Sequence, residues 1–271
     1  MVSVFPPPGP GLPAFRSLLI YGPYHPSAPV HLILSSLAQE PTSKSILISS
    51  SRSSLKTALV EHNDNWISMH GSSGKVSGCA SRCEILYPPS TAHLVTLLSM
   101  LHEYGGTYYH WKTTLDVAPS LMVLHEPSAL LPNTSTVSTY LSLITHTMSA
   151  VQSLAAQSST RIALAVFDSG LHELKLPIVR LPNQEAAPGD ASDATGRTES
   201  VVRLVEGYFE WVGHVEEHIL ELMPTQSPPY ETPLVQRELS LWRTRYAEDP
   251  EFVWKWSEGM GEARETVFQF L

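Results

Sequence analysis

The sequence predicts a mostly parallel, doubly wound α/β sheet, on three observations. Short apolar runs stop at glycine, proline or a polar cluster; helix-length segments separate them; and the alternation recurs along the first 167 of 271 residues. Strands alternating with helices of that length close into a parallel sheet with helices on both faces.

The elements follow in order. Ser17-Leu18-Leu19-Ile20-Tyr21 is a buried strand that stops at Gly22-Pro23, and Val30 to Gln39 reads as the helix after it. Ser45 to Ser49 is the second strand, and Ser54 to His62 a helix with Leu55, Ala58 and Leu59 on one face. Gly71 to Gly78 reads as a flexible Gly/Ser loop. Cys83 to Tyr87 is the third strand, ended by Pro88-Pro89, and Ser90 or Thr91 caps a helix from Ala92 to Tyr104. That helix places Leu94, Leu97, Leu98 and Leu101 on one core-facing stripe. Leu121 to Leu124 is a fourth strand, Val137 to Gln157 a long helix and Arg161 to Phe167 a fifth strand. Beyond Pro182 the composition changes. Val201 to Val215, Phe252 to Trp256 and Thr266 to Phe270 read as later strands added at the sheet edge, with Leu234 to Tyr246 a helix between them. Trp254 and Trp256 alternate and so share a face, where an aromatic pair packs a core or an interface.

The length fits one large α/β unit. Residues 1–15 are expected as a Pro-rich flexible tail, residues 16–271 as the domain, and 183–198, rich in Ala, Gly, Asp and Pro, as a disordered loop within it. Hydrophobic residues at 42% suffice for a core, while charged residues at 16% are sparse for a surface, which points to partners. The net charge of −9 is uneven: residues 1–181 hold ten basic and nine acidic residues, and 182–271 hold seven and seventeen. Any nucleic-acid contact must therefore come from a local patch. Arg52, Lys56, Lys75 and Arg82 form the most basic interval, extended by Arg243 and Arg245 if their helix packs beside it. Cys79 and Cys83 are too few for a disulfide framework or a four-thiolate zinc site, so a reducing compartment is expected. No leader pattern opens the chain and no apolar run reaches the ~18 residues of a membrane span.

The places where such a sheet carries chemistry hold other residues. After the first strand, a nucleotide-binding protein has Gly-x-x-x-x-Gly-Lys-Ser/Thr, whose amides and lysine hold phosphates. Here Gly22-Pro23-Tyr24-His25-Pro26-Ser27-Ala28-Pro29 keeps the first glycine; Ser27 and Pro29 stand near where the second glycine and the lysine-hydroxyl pair belong, and three prolines remove amide donors. The strand that should end in a magnesium-organising aspartate reads Leu121-Met122-Val123-Leu124-His125-Glu126, with His125 in place of the carboxylate and Glu126 one residue late. Neither ATP nor another cofactor is expected. The loop at Gly74-Lys75 lacks the upstream glycine and the following hydroxyl. His214-Val215-Glu216-Glu217-His218 matches a zinc-peptidase pattern that needs a helix, but its setting reads as a strand. Cys79 and Cys83 with His70 offer no fourth ligand, so no metal is expected. No Gly-x-Ser-x-Gly elbow follows a strand, and Asp168, at a strand end, reads as a turn cap. An enzyme, zinc or serine hydrolase, is thus the least favoured class.

One stretch carries a family resemblance. Arg82-Cys83-Glu84-Ile85-Leu86-Tyr87-Pro88-Pro89-Ser90-Thr91, followed by Leu94, Leu97-Leu98 and His102-Glu103, resembles the matching strand and helix of RecA-type recombinase paralogues. It is similar in particular to the small RecA-like partners of SWIM-domain proteins in Shu-type complexes. The order of degenerate phosphate loop, second strand, Tyr-Pro-Pro-Ser-Thr element and degenerate acidic strand follows that family from Ser17 to Phe167. The resemblance implies a RecA-like fold with extra C-terminal strands and a noncatalytic, nuclear subunit of a heterodimer. With its SWIM-domain partner it would bind single-stranded or forked DNA and promote filament assembly by a RecA-type recombinase in homologous recombination repair. The alternative is a RecA-like pseudo-ATPase subunit of the hexameric Elongator subassembly, which binds transfer RNA.

Overall fold

A computed structural model describes residues 1–178, 198–219, 235–244, 249–261 and 265–271. In chain order the elements are β1 (Ser17–Tyr21), α1 (Ala28–Gln39), β2 (Ser45–Ser49), α2 (Arg52–His62), α3 (Asn65–His70), α4 (Gly74–Ala80) and β3 (Cys83–Leu86). Then come α5 (Thr91–Met100), β4 (His102–Glu103), β5 (Thr114–Leu115), β6 (Leu121–His125), α6 (Val137–Ser158) and β7 (Ala163–Asp168). The rest comprises β8 (Lys175–Pro177), β9 (Thr198–Ser200), α7 (Val202–Val205), β10 (Trp211–Ile219), β11 (Val235–Arg243), β12 (Phe252–Met260) and β13 (Thr266–Phe270).

The main sheet has the order β13-β12-β11-β10-β1-β7-β6-β2-β3. From β10 to β3 every neighbouring pair is parallel, and from β10 to β13 every pair is antiparallel. This is the α/β class that the strand–helix rhythm predicts, with the extra C-terminal strands on one edge. Two cores, one per face, follow from the two-residue period of the strands. Leu19, Tyr21, Ile46, Ile48, Met122, Leu124, Leu164 and Val166 face α5 and α6, whereas Leu18, Ile20, Leu47, Leu121, Val123, Ala165 and Phe167 face α1.

Five expectations are corrected. Leu234–Tyr246 is not a helix: Val235–Arg243 is strand β11, because Arg237, Leu239 and Leu241 alternate as buried residues. Arg237 disguised that period, being a charged residue on the inward face, where Glu217 and Glu258 pair with it. The Gly71–Gly78 segment is not a loop but spans the turn into α4. Asp64 caps α3 through the Ile67 amide, and Ser73 caps α4 through the Val76 amide, so capping outweighs the glycines. Residues 1–15 have no helix or strand but are not a free tail: Val4, Phe5 and Leu12 are buried, and Phe5 meets Trp256 and Phe270 edge-on. Trp254 and Trp256 lie on β12, and Trp256 is core. Val201–Val215 is strand only from Trp211, since Val202–Val205 is a helical turn. The α5 helix also ends early, at Met100, where His102–Glu103 pairs with Thr114–Leu115. Of the expected disordered loop, residues 183–197 lie outside the described residues, and Thr198 opens β9.

No helix among the described residues is long and apolar enough to cross a membrane.

Candidate functional site

The carboxyl ends of β1, β7, β6 and β2 form the edge where open α/β sheets hold ligands. In this chain that edge is closed by its own side chains. Gly22 follows β1 with φ +91°, and a Cβ there would meet the Val215 carbonyl oxygen at 2.2 Å, so only glycine permits the turn. From there the loop folds onto itself. The Tyr24 amide donates to the Gly22 carbonyl, the Ser27 amide to His25 Nδ1 and the Ala28 amide to the His25 carbonyl. Pro23, Pro26 and Pro29 have no amide, and Pro29 sits in the first turn of α1, where a missing N–H costs nothing. Six of the seven positions from Pro23 to Pro29 thus offer no amide to a phosphate.

Tyr24 then crosses to the end of β6. Its hydroxyl donates a hydrogen bond to Glu126 Oε1, and its ring lies edge-on to Phe167 at 5.3 Å and to His125 at 6.4 Å. Glu126 reaches this position with a left-handed backbone, φ 53°, and the same Oε1 accepts the Ser169 amide. His125 is buried against Ser49 Oγ at 3.0 Å, and burial lowers its pKa. The two sequence positions marked as degenerate nucleotide contacts, Gly22–Pro29 and His125-Glu126, therefore do meet in space, and a tyrosine fills the gap between them.

Two further networks lie beside this plug. Ser27 Oγ donates to Asp64 Oδ2 at 2.6 Å, His31 Nε2 donates to the same oxygen at 2.7 Å, and His25 Nδ1 lies 2.7 Å from Ser27 Oγ. All four residues are buried. Burial is the main force against charge on Asp64, yet the His31 and Ser27 hydrogen bonds win and hold its pKa below the usual carboxylate range. Burial pushes His25 down to about 3. Asp168, at the end of β7, does not cap its own turn as expected. It accepts from the Ser128 amide (3.0 Å), Ser128 Oγ (2.6 Å) and Tyr140 Oη (2.7 Å), while burial and the neighbouring Glu126 raise its pKa to about 6. Nothing local in the sequence signals these partners, which lie 28 to 40 residues away.

These shifts set a pH dependence. His25 refuses in the native state a proton that the unfolded chain takes up near pH 6.5. Its contribution is complete above that pH and is lost as pH falls toward 3, roughly 5 kcal/mol in all. Asp168 has the opposite sign. The native state keeps its proton up to about pH 6 while the unfolded chain releases it near 4, so acidification through that window gains about 3 kcal/mol. Between pH 4 and 6 the two slopes largely cancel. We expect urea midpoints to fall more steeply with acidification through that window in Asp168→Asn than in the native chain.

The basic candidates do not form one patch. Arg52 and Lys56 are exposed one turn apart on α2, after the carboxyl end of β2, where they border an open groove with Leu55, Leu59, Ile85 and Tyr87. Lys75 is exposed on α4. Arg82 precedes β3, at the opposite end of the sheet, and its guanidinium donates to the carbonyls of Leu37, Glu40 and Ser43. It therefore caps the C-terminal end of α1. Arg82→Ala should cost about 1–3 kcal/mol, read as a lower urea midpoint, by removing the charged donors from the carbonyls of Leu37, Glu40 and Ser43. Arg243 is not on a helix near these; it ends β11 and pairs with Glu210 at 3.0 Å. Arg245 lies outside the described residues.

In the Tyr87–Thr91 stretch, the Ser90 hydroxyl caps α5 at the His93 amide, and Thr91 Oγ1 donates to the Leu130 carbonyl. His214 and His218 stand on strand β10, where residues four apart are separated by ~13 Å and cannot share a metal. Cys79 and Cys83 are free thiols, and burial raises Cys83 to about 11.

No family model matches the chain, and no curated protein matches it. Among solved structures it is similar to one titled "Crystal structure of the RadB recombinase", with a TM-score of 0.41 and 14% identity over 93% of this chain and 90% of that one. A likeness at that distance assigns neither family nor activity.

Proposed function

We propose that this chain is a noncatalytic RecA-type recombinase paralogue that works as a binding subunit. In this reading it pairs with a SWIM-domain zinc protein in the nucleus, meets single-stranded or forked DNA within that heterodimer, and promotes filament assembly by a RecA-type recombinase. The observation that carries the noncatalytic part is the closed loop after β1: Tyr24 occupies the gap between it and β6 and is bonded to Glu126. With Tyr24 bonded to Glu126 and the Tyr24, Ser27 and Ala28 amides bonded within the loop, these groups are not free to bind a phosphate. The resemblance of the Tyr87-Pro88-Pro89-Ser90-Thr91 element supports the family reading and, through it, the choice of partner.

The partner decides the reading. Mass spectrometry of proteins that copurify with the tagged full chain should find a SWIM-domain protein and a RecA-type recombinase. Recovery of the Elongator subunits in their place would replace this reading with the pseudo-ATPase ring subunit.

A further inference from the structure

The opposite edge of the parallel sheet holds a charged concavity. Four neighbouring strands start or end there, and their register fixes the order of the residues involved. Arg161 precedes β7, Arg16 precedes β1, Glu210 precedes β10, and Arg243 closes β11 opposite Trp211. Adjacent strands are ~5 Å apart, so three guanidinium stems leave the sheet within ~15 Å of one another. With Gly207, Tyr208 and Glu210 these arginines line a polar concavity of about 530 Å³. A second concavity of about 460 Å³ shares Arg16, Arg161 and Tyr208 and runs past Gln152 on α6, so the site is a groove and not a cup for one ion.

Its charges are only partly compensated. Glu210 is the one acid in the lining; its Oε1 accepts from Arg243, and its Oε2 is taken by the Arg16 backbone amide. Among the described residues no carboxylate lies within ion-pair distance of the Arg16 or Arg161 guanidinium, and Arg161 reaches only the Phe15 carbonyl, at 3.5 Å. Like charges placed side by side repel, and this chain has 17 lysines and arginines against 26 acids. A local excess of cations on so acidic a protein makes this edge the place where an anion is attracted. Guanidinium forks match phosphate oxygens, and Tyr208, 44% exposed at the rim, presents a ring on which a base can stack.

We infer that this groove binds single-stranded nucleic acid, with phosphates on Arg16 and Arg161 and a base against Tyr208. The inference rests on the DNA-contacting role proposed above and moves the contact from Arg52, Lys56 and Lys75 to the other end of the sheet, where Arg82 is already engaged by the carbonyls of Leu37, Glu40 and Ser43. Of the described residues read from sequence as contacts, Arg243 alone lines it.

The test is fluorescence anisotropy of a labelled oligothymidylate of about 20 nucleotides with the full chain, from about 50 to about 300 mM salt. Arg16→Gln with Arg161→Gln should weaken binding about tenfold or more and flatten the log–log salt slope by about 1.4, or about 0.7 for each phosphate contact. Tyr208→Ala should weaken binding roughly tenfold with the slope unchanged, and Arg52→Gln with Lys56→Gln should change it less than about twofold. The substituted side chains are exposed, and unchanged urea midpoints will show that the fold is intact. Wild-type binding that is indifferent to the Arg16 and Arg161 changes overturns the inference while leaving the proposed function standing. A wild-type chain that holds its SWIM-domain partner but no oligothymidylate also overturns it. So does equal affinity for polyglutamate with no effect of Tyr208→Ala, which would make the groove an acidic-peptide site.

Discussion

Asp64→Ala should cost the chain about 3–5 kcal/mol, measured as the loss of unfolding free energy in urea. Asp64 is 4% exposed and ionised, and it serves three donors from two segments: His31 Nε2, Ser27 Oγ and the Ile67 amide. Its removal leaves the His31 imidazole buried without its acceptor, leaves Ser27 Oγ with only His25 Nδ1 beside it, and strips α3 of its N-cap, which by itself accounts for about 1 kcal/mol. The backbone here also carries the C-terminal edge of the sheet, because Asp64 bridges Thr266 and the Thr266 amide donates to the Asn63 carbonyl. Asp64→Asn, which keeps one acceptor, should recover part of the loss. A cost below about 1 kcal/mol for the alanine variant would mean that the Ser27–Asp64–His31 network does not hold the loop.

Tyr24→Ala should have an effect of similar size, about 3–5 kcal/mol, since it removes a buried ring packed on Phe167 and leaves a cavity behind. Tyr24→Phe separates the two contributions. It keeps the packing and deletes the hydroxyl, so Glu126 retains the Ser169 amide but loses its charged hydrogen bond from the ring, at about 1–3 kcal/mol. Opening the gap does not create a nucleotide site. With Tyr24 gone the loop still lacks the lysine and hydroxyl that hold phosphate and magnesium, so Tyr24→Ala should be unstable and still fail to bind ATP. Urea titrations of both variants, with and without ATP and magnesium, check the two halves of this claim. Stabilisation of Tyr24→Ala by ATP would show that the tyrosine alone keeps the nucleotide out.

The central strands were readable because each is buried on both faces. β1, β2, β6 and β7 appear as unbroken apolar runs, and their order of strand and helix gives the class. The antiparallel edge was harder. In β11 the inward face carries Arg237, whose charge is tolerated only because Glu258 and Glu217 are aligned on the neighbouring strands, a fact of register and not of local sequence. Helix α4 hid behind glycines and α3, at six residues, is too short to show a period, although the capping residues Asp64 and Ser73 stood in plain view. The N-terminal segment lacks any periodicity, so its packing on Trp256 was not legible. Position brought out Gly22, His125 and Glu126, which the structure places around one gap, but not what fills the space between them. Tyr24 and Glu126 are 102 residues apart, and the arginines of the far edge, Arg16 and Arg161, are 145 apart and join only through strand register.

The central claim is that the crevice where this fold would take a nucleotide is occupied by the protein's own side chains. Equilibrium titration of the full chain with a fluorescent ATP analogue and magnesium tests it most directly. The account predicts no saturable binding up to ~1 mM. Micromolar binding that is abolished by substitutions between Gly22 and Pro29 would contradict it.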